Sequence, residues 1–248
     1  MKTYTVHLIR HALTKGNLEG RYIGQTDEEL CKEGIEQLEK MKSDYDYPYP
    51  DVVFTSTLKR CVQTAKILYP DKTPIEMRGF EECDFGEFEG HTADELQPYE
   101  EFSDWLAGGE DARPLNGESN SEFATRVCDC FIKTVDGLIK TGTGSASIIT
   151  HGGVIMSILA AFGLPEMPMT EWFCPSACGY TIRITPSLWS RMKKFEGYYR
   201  GVNLGGWISQ CCHEIEHYDS SLIGVPTHGI SHNHVIVEAK TPIHTTAQ

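Results

Sequence analysis

The sequence lacks any apolar run long enough to span a membrane, and it is poor in positive charge. It has 22 Lys and Arg residues against 35 Asp and Glu residues, which gives a net charge of −13. The phosphate backbones of nucleic acids and anionic membrane surfaces repel such an acidic chain. We therefore expect neither a nucleic-acid partner nor a membrane partner. A small anionic substrate stays compatible with this charge if basic residues converge locally.

The cysteines form neither a disulfide framework nor a zinc-binding pattern. Their number is odd, at nine, and no two of them have the CxxC spacing. The opening MKTYTVHLIRH reaches a second cation within one short apolar run, which is too short for a secretory signal. These absences lead us to expect reduced, structural thiols in a cytoplasmic protein.

The chain alternates strand-like and helix-like segments over a length that suits one large domain or one domain with an appendage. The apolar runs YTVHLI, DVVFTS and SASIIT are typical of buried strands, and amphipathic or apolar helical patterns separate them. A later run, GYTIRIT, is the last clear strand. This alternation predicts an α/β fold, with a mostly parallel sheet and helices on both of its faces.

Local signals add detail to this prediction. Ser119 followed by Glu122 predicts a capping box at the start of a long amphipathic helix that continues to Leu138. The segment TPIEM predicts a short strand. His7 lies inside the first strand, and we expect it to be a core histidine whose hydrogen bonds are satisfied.

Polar residues follow three of the predicted strands. Arg10 and His11 end the first strand, His151 ends SASIIT, and the stretch from Ser56 to Arg60 follows DVVFTS. In parallel α/β sheets, ligands bind at the carboxyl ends of the strands. The sequence therefore predicts one pocket that contains His11, His151, Arg10 and Arg60.

These residue types suit the transfer of a phosphoryl group. A neutral imidazole is a nucleophile that can attack phosphorus, and phosphoryl transfer depends mostly on positioning and charge stabilisation. Arginine stays charged and binds phosphate oxygens bidentately. A protonated histidine adds a donor, and a carboxylic acid can protonate the leaving oxygen. We expect no cofactor and no metal for such chemistry.

Several motifs together resemble a known family. LIRHALTKGN resembles the R-H-G/A-x-T-x-x-N signature of the histidine phosphatase (phosphoglycerate-mutase-like) superfamily. The resemblance continues, in the family's order, over roughly residues 3 to 186 in a set of further segments: GRYIGQTDEELCKEG, VVFTSTLKRCVQTAKIL, FEECDFGEFEG, LNGESNSEFATRV and SIITHGGVI. It implies the phosphoglycerate-mutase-like fold.

The resemblance also implies roles for individual residues. His11 would be the nucleophile that forms a phosphohistidine, and Arg10 and Arg60 would clamp the phosphate. His151 would donate a hydrogen bond to a phosphate oxygen, against which Gly152 would lie.

Glu82 matches the family's proton donor in its L-x-E-x-x-x-G pattern, although Glu81 and Asp84 are close enough to be alternatives. Asn17 matches a residue that contacts the phosphate. Further positions match residues around the mouth of the site: Thr14, Arg21 and Gln25.

The motifs leave the reaction outcome and the substrate open. The short acidic middle segment favours a phosphatase, and GRYIGQTDEEL with LNGES looks most like the α-ribazole-phosphate phosphatases of cobalamin assembly. The alternatives are a phosphoglycerate mutase and a non-catalytic module that binds phosphate. The oligomeric state cannot be inferred.

The resemblance fades near residue 191, so we expect a phosphatase domain over 1–191 and an appended tail over 192–248. Residues 192–224 resemble the N-terminal start of glycoside hydrolase family 5 cellulases. Too few residues follow for a TIM barrel or for its catalytic carboxylates, so we expect no glycosidase activity. HEIEH, His213 to His217, matches the H-E-x-x-H zinc pattern, and we attribute the match to chance, with a zinc protein as the alternative.

Overall fold

The computed structural model of the chain describes residues 2–109, 111–196 and 198–200, and it has the predicted α/β architecture. The strands are β1 Tyr4–Arg10, β2 Val52–Thr55, β3 Ile75–Glu76, β4 Ser145–Thr150, β5 Gly163–Leu164, β6 Gly179–Ile184, β7 Phe195–Glu196 and β8 Tyr198–Arg200. The α-helices are α1 Lys15–Leu18, α2 Lys32–Asp44, α3 Lys59–Leu68, α4 Ala93–Leu96, α5 Glu100–Leu106, α6 Asn120–Thr141, α7 Gly152–Phe162 and α8 Pro186–Met192. Three 3₁₀ turns complete the set: Arg78–Phe80, Gly86–Phe88 and Met169–Trp172.

The main sheet has the strand order β3-β2-β4-β1-β6-β8. Strands β1 to β4 pair in parallel, as predicted. Strand β6 pairs antiparallel with β1, and β8 pairs antiparallel with β6, so the sheet is mixed on that side. A separate small sheet joins β5 and β7 in parallel. The prediction of a mostly parallel sheet is confirmed.

The two central strands are buried on both of their faces. Ile148 and Ile149 of β4 point to opposite faces because side chains alternate along a strand, yet both are fully buried. Helix α3 packs against β4, α7 packs against β1, and these helices in turn contact α2 and α6. Apolar residues at consecutive strand positions therefore reflect helical cover on both sides of the sheet.

Helix α6 has the predicted start and the predicted cap, and it continues past Leu138 to Thr141. The Ser119 hydroxyl accepts a hydrogen bond from the Glu122 amide at 3.1 Å, and the Glu122 carboxylate accepts one from the Ser119 amide at 2.9 Å. The helix ends at Gly142, whose φ of 74° lies in the left-handed region that favours glycine. The buried face includes the positions predicted from the helical spacing: Phe123, Val127, Phe131, Val135 and Leu138.

The fold continues past residue 191. The Phe195 side chain is fully buried in the main core, and β8 adds a strand to the sheet beside β6. The division of the chain at residue 191 stays a prediction. Most of the cellulase-like segment and the whole HEIEH motif lie outside the described residues. No helix in the described part of the chain combines the length and the apolarity that a membrane crossing needs.

Candidate active site

The register between β1 and β4 brings the two predicted histidines together. Arg10 pairs with Thr150, so the next residue of each strand, His11 or His151, leaves the same edge of the sheet. The His11 amide donates to the Thr150 carbonyl at 2.9 Å. Both imidazoles are buried, and their rings meet edge to face with centroids 5.1 Å apart. The carboxyl edge of the sheet therefore holds the cluster that the sequence predicts.

The hydrogen bond of His11 fixes which ring nitrogen can react. Nδ1 lies 2.7 Å from the Ala12 carbonyl oxygen, which can only accept, so Nδ1 carries the hydrogen. Burial, followed by the charges of Arg60 and Arg10, holds the pKa of His11 well below its ordinary value. The imidazole is thus neutral at physiological pH, and its lone pair is on Nε2.

The side chain of His151 is held by protein groups at both ring nitrogens. Nδ1 accepts a hydrogen bond from Arg60 Nε at 3.3 Å, and Nε2 lies 2.8 Å from Ser56 Oγ. Burial and then the Arg60 charge hold the pKa of His151 well below its ordinary value. A hydrogen bond from His151 to phosphate therefore requires that the ring release one of these two partners.

Arg60 is fully buried at the start of α3, and main-chain carbonyls of one loop hold its guanidinium. Nη2 donates to the carbonyl oxygens of Gly24 at 2.7 Å and Ile23 at 3.3 Å, and Nη1 donates to that of Thr26 at 2.8 Å. Together with the bond to His151, these contacts use four of the five guanidinium N–H groups.

Arg10 reaches the cluster from the end of β1. Its Nη1 donates to the Cys174 carbonyl at 2.7 Å, but its buried Nε has no hydrogen-bond partner among the residues that the structure describes. A Cβ added at Gly152 would lie 3.5 Å from this Nε, so Gly152 keeps the space beside the guanidinium open. Neither Arg10 nor Arg60 forms an ion pair with any carboxylate in the described part of the chain.

Glu82 is the carboxylate that faces this cluster. Oε1 accepts from its neighbour's amide, that of Cys83, at 3.0 Å, and Oε2 accepts from the Gly153 amide in the first turn of α7 at 3.1 Å. A Cβ at Gly153 would lie 2.5 Å from Oε1, so the close approach requires glycine there. Burial raises the pKa of Glu82, while the two amides and the nearby arginines oppose the rise.

The two alternative acids point elsewhere. Glu81 accepts a hydrogen bond from the Thr57 hydroxyl, and the carboxylate of Asp84 accepts from the Gly86 amide at 3.0 Å. Of these three neighbouring acids, Glu82 is the one that is buried and that contacts the helix that begins beside His151. The geometry therefore favours Glu82 as the candidate acid.

The residues predicted at the mouth differ in what they contact. Thr14 and Asn17 cap α1 reciprocally, with side chain to amide distances of 3.2 and 3.3 Å. Gln25 donates from Nε2 to the Glu82 carbonyl at 2.8 Å. Arg21 pairs with the exposed Glu19 at 2.7 Å and also donates to a main-chain carbonyl, so the structure does not direct it into the histidine cluster.

Two side chains that hold the site in place were not predicted from the sequence. The Thr64 hydroxyl accepts from the Ala12 amide at 3.0 Å and donates to the Arg60 carbonyl at 2.7 Å, so it joins the loop that follows His11 to α3. Arg126 donates to the Glu82 carbonyl at 3.2 Å while it pairs bidentately with Glu118 at 2.7 and 2.9 Å. Both residues lie within quoted motifs, but their spacing alone does not reveal these contacts.

Comparisons with known proteins identify the family to which the chain is similar. The description "Histidine phosphatase superfamily (branch 1)" matches residues 6–194. The adenosylcobalamin/α-ribazole phosphatase of Escherichia coli (strain K12) is 29% identical over 182 residues, which are 71% of this chain and 88% of that protein. A 2,3-bisphosphoglycerate-dependent phosphoglycerate mutase of Methylobacterium radiotolerans is 27% identical, covering 66% of this chain and 82% of its own.

A solved structure shows the same fold. The α-ribazole phosphatase of Shigella flexneri superposes with a TM-score of 0.64 at 25% identity, over 81% of this chain and 95% of its own. The family match ends at residue 194, so it lends no support to the glycoside hydrolase resemblance of residues 192–224. The ordered motifs, the sheet and the family match lead to one assignment: the chain is an enzyme of the histidine phosphatase superfamily.

Proposed function

We propose that the protein is a metal-independent phosphomonoesterase that works through a phosphohistidine on His11. One observation carries the proposal. The guanidinium groups of the buried Arg60 and the half-buried Arg10 form no ion pair with a carboxylate in the described part of the chain, and the buried Nε of Arg10 has no acceptor there. An uncompensated buried cation is costly. A phosphate dianion beside a neutral histidine removes that cost.

In the first half-reaction, Nε2 of His11 attacks phosphorus in line with the leaving oxygen. The N–P bond forms, the P–O bond breaks, and Glu82 gives its proton to the departing alkoxide. Arg10 and Arg60 stabilise the charge on the equatorial oxygens. The raised pKa of Glu82 suits this role, because a larger fraction of the carboxyl is protonated near neutral pH.

In the second half-reaction, water replaces the alcohol. Glu82, now ionised, accepts a proton from water as the oxygen attacks the phosphohistidine. The N–P bond breaks, inorganic phosphate forms, and His11 returns to its neutral state with Nδ1 still bonded to the Ala12 carbonyl. The same residue thus acts as acid and then as base.

We propose a small phosphorylated metabolite as the substrate, and α-ribazole 5′-phosphate as its named candidate. The proposal is supported by the motifs GRYIGQTDEEL and LNGES and by the two similar proteins described as α-ribazole phosphatases. Hydrolysis of a small phosphate ester requires no nucleic-acid or membrane partner, and we propose none. We propose the cytoplasm as the location.

The test measures phosphate release from p-nitrophenyl phosphate and from α-ribazole 5′-phosphate, in EDTA, by the full chain and by its His11→Ala variant. We expect release by the parent protein only, with a higher kcat/KM for α-ribazole 5′-phosphate. Activity that persists in His11→Ala, or that EDTA abolishes, would contradict the proposed mechanism.

A phosphoglycerate mutase is the second candidate, because the Methylobacterium radiotolerans mutase is nearly as similar. It would return the phosphoryl group to the sugar acid instead of to water. Incubation with 3-phosphoglycerate separates the two reactions, since a mutase yields the isomer and a phosphatase yields free phosphate. A non-catalytic module would bind phosphate and release none from any ester.

A further inference from the structure

We propose that Glu89 is a positioning residue that fixes the phosphate-binding guanidinium of Arg60 through the loop Ile23–Thr26. The inference rests on the proposed function and extends it to a residue outside the reacting cluster. Glu89 is not in contact with Arg60, and no salt bridge joins the two side chains. The connection runs through the peptide groups between them.

The Glu89 carboxylate accepts hydrogen bonds from several donors of this loop. It accepts from three consecutive amides, those of Gly24 at 2.9 Å, Gln25 at 2.8 Å and Thr26 at 3.2 Å. It also accepts from the Thr26 hydroxyl at 2.6 Å and the Phe85 amide at 3.3 Å. An ionised carboxylate accepts such bonds more strongly than a neutral group does. The carboxylate of Glu89 therefore holds the backbone of this loop in place.

The opposite ends of the same peptide groups hold Arg60. The peptide that joins Ile23 to Gly24 donates its N–H to Glu89 and offers its carbonyl to Arg60 Nη2. The next peptide, from Gly24 to Gln25, does the same at 2.8 and 2.7 Å. In a planar trans peptide the N–H and C=O point in opposite directions, so a group that fixes one also orients the other. These two peptide groups therefore couple the position of the Arg60 guanidinium to that of the Glu89 carboxylate.

An independent observation shows that the loop must approach Glu89 closely. A Cβ at Gly24 would lie 2.5 Å from Glu89 Oε1 and would collide with the Cys83 carbonyl oxygen. Only glycine leaves room for this arrangement. Glycine loses more conformational entropy on folding than other residues do, and Gly24 lies at the position where the loop contacts the Glu89 carboxylate.

The indirect connection suits a phosphate clamp better than an ion pair would. A carboxylate bonded directly to Arg60 would neutralise its charge and compete with phosphate for the one guanidinium N–H that the loop carbonyls and His151 leave free. Two intervening peptides keep the compensating charge near while they aim the guanidinium, and the hydrogen bonds along this chain polarise one another. We infer that loss of the Glu89 charge loosens Arg60 and weakens phosphate binding.

The experiment compares the full-length parent with Glu89→Gln and with the matched control Glu87→Gln. Glu87 is exposed, lies two residues away and has a side-chain contact with Asn116. We expect Glu89→Gln to lower kcat/KM by about 10- to 100-fold, as a small displacement of a clamp does, and to raise the inhibition constant of inorganic phosphate. Because Arg60 acts on the phosphoryl group, the loss should be equal for p-nitrophenyl phosphate and for an alkyl phosphate.

A double-mutant cycle separates positioning from general destabilisation. If Glu89 acts through Arg60, Glu89→Gln should cost almost nothing further in the Arg60→Ala background. An equal loss in both backgrounds, or a Glu89→Gln variant that behaves like Glu87→Gln, would overturn the inference. Thr26→Val removes only the exposed hydroxyl donor to Glu89. It provides a milder version of the same test, with a smaller rise in the same inhibition constant, should Glu89→Gln fail to fold.

Titration with inorganic phosphate distinguishes failure of the inference from failure of the proposed function. A parent protein that binds phosphate but hydrolyses no ester would disprove the phosphatase reaction alone. Weaker phosphate binding by Glu89→Gln than by Glu87→Gln would still support the positioning role. Equal binding by the two variants would disprove it.

Discussion

The two sides of the candidate site are built in different ways. On the sheet side, His11 and His151 follow adjacent parallel strands, and the strand register alone brings their rings to 5.1 Å. On the loop side, Glu82 lies in irregular chain that Arg126 and Gln25 hold by side-chain bonds to its carbonyl. The proposed nucleophile is thus placed by backbone pairing, whereas the proposed acid is placed by a few long-range polar contacts. We expect the loop side to be the easier one to disturb.

The largest effect should come from the sheet side, at the nucleophile. His11→Ala removes the atom that forms the covalent intermediate, so we expect kcat to fall by at least about 10³-fold with every substrate. Phosphate release measured under saturating substrate checks this. The control is His91→Asn, which alters an exposed histidine. A His11→Ala variant that still becomes phosphorylated would place the nucleophile elsewhere.

On the loop side, the loss should depend on the leaving group. Glu82→Gln cannot protonate the departing oxygen, so we expect kcat/KM for an alkyl phosphate, which reports on the first half-reaction, to fall by about 10²- to 10⁴-fold. The loss in kcat/KM for p-nitrophenyl phosphate should be much smaller, because nitrophenolate leaves without a proton. Steady-state kinetics with both esters provide the measurement. Equal losses would mean that Glu82 does not act as the acid.

The two sides should also titrate differently. Burial raises the pKa of Glu82, so its protonated form is lost as the pH rises through that raised value, and kcat/KM for an alkyl phosphate should fall there. The pKa of His11 is held well below its ordinary value, so the nucleophile stays neutral on the acidic side. For an alkyl phosphate, kcat/KM should therefore be greatest below the raised pKa of Glu82. A pH profile of Glu82→Gln, with the same substrate, should lack the alkaline fall that the parent shows.

A smaller loss should follow when the support of the acid is removed. Arg126→Gln breaks the bonds to the Glu82 carbonyl and to Glu118, so we expect about a tenfold lower kcat for an alkyl phosphate. Arg113→Gln is the control, since Arg113 makes only an exposed pair with Glu122, and such pairs stabilise little. If both variants have the parent's kcat, the loop side is more rigid than its contacts suggest.

The smallest effect concerns stability on the sheet side. His7 in β1 is hydrogen-bonded to Thr181 at 2.9 Å, as predicted, and burial lowers its pKa to about 4. The unfolded chain binds the proton at higher pH than the native protein does, so the free energy of unfolding should fall as pH drops from 6.5 towards about 4. Urea unfolding near pH 7 and near pH 5 should show a difference that His7→Asn reduces by roughly 2 kcal/mol.

The sheet side could be predicted from the sequence because its geometry follows from chain order. Arg10, His11 and His151 stand directly after apolar runs, and parallel strands bring their carboxyl ends to one edge. The Ser119 capping box could be predicted for a similar reason, since its partners are three residues apart. Contacts between residues that are close in sequence, or paired in strand register, can therefore be predicted from the spacing of residues in the sequence.

The loop side could be predicted only in part. The motif predicts Glu82 as the acid, but the bonds of Glu89 and Arg126 join positions that are far apart in the chain and follow no period. The antiparallel direction of β6 is equally invisible, because a buried strand has the same composition in either direction. Arg21 matched a motif position, yet the exposed Glu19 lies two residues away and holds its guanidinium.

Arg10 and Arg60, which form no ion pair with a carboxylate among the described residues, affect how fast substrate reaches the site. The chain as a whole carries a charge of −13, whereas the site concentrates positive charge in its interior. A phosphate dianion is repelled at long range and attracted only near the pocket, within about the 10 Å screening length of a moderately salty solution. Added salt weakens the long-range repulsion before it weakens the buried attraction. Encounter should therefore become faster as ionic strength rises from very low values, the reverse of the usual behaviour of a protein that attracts anions.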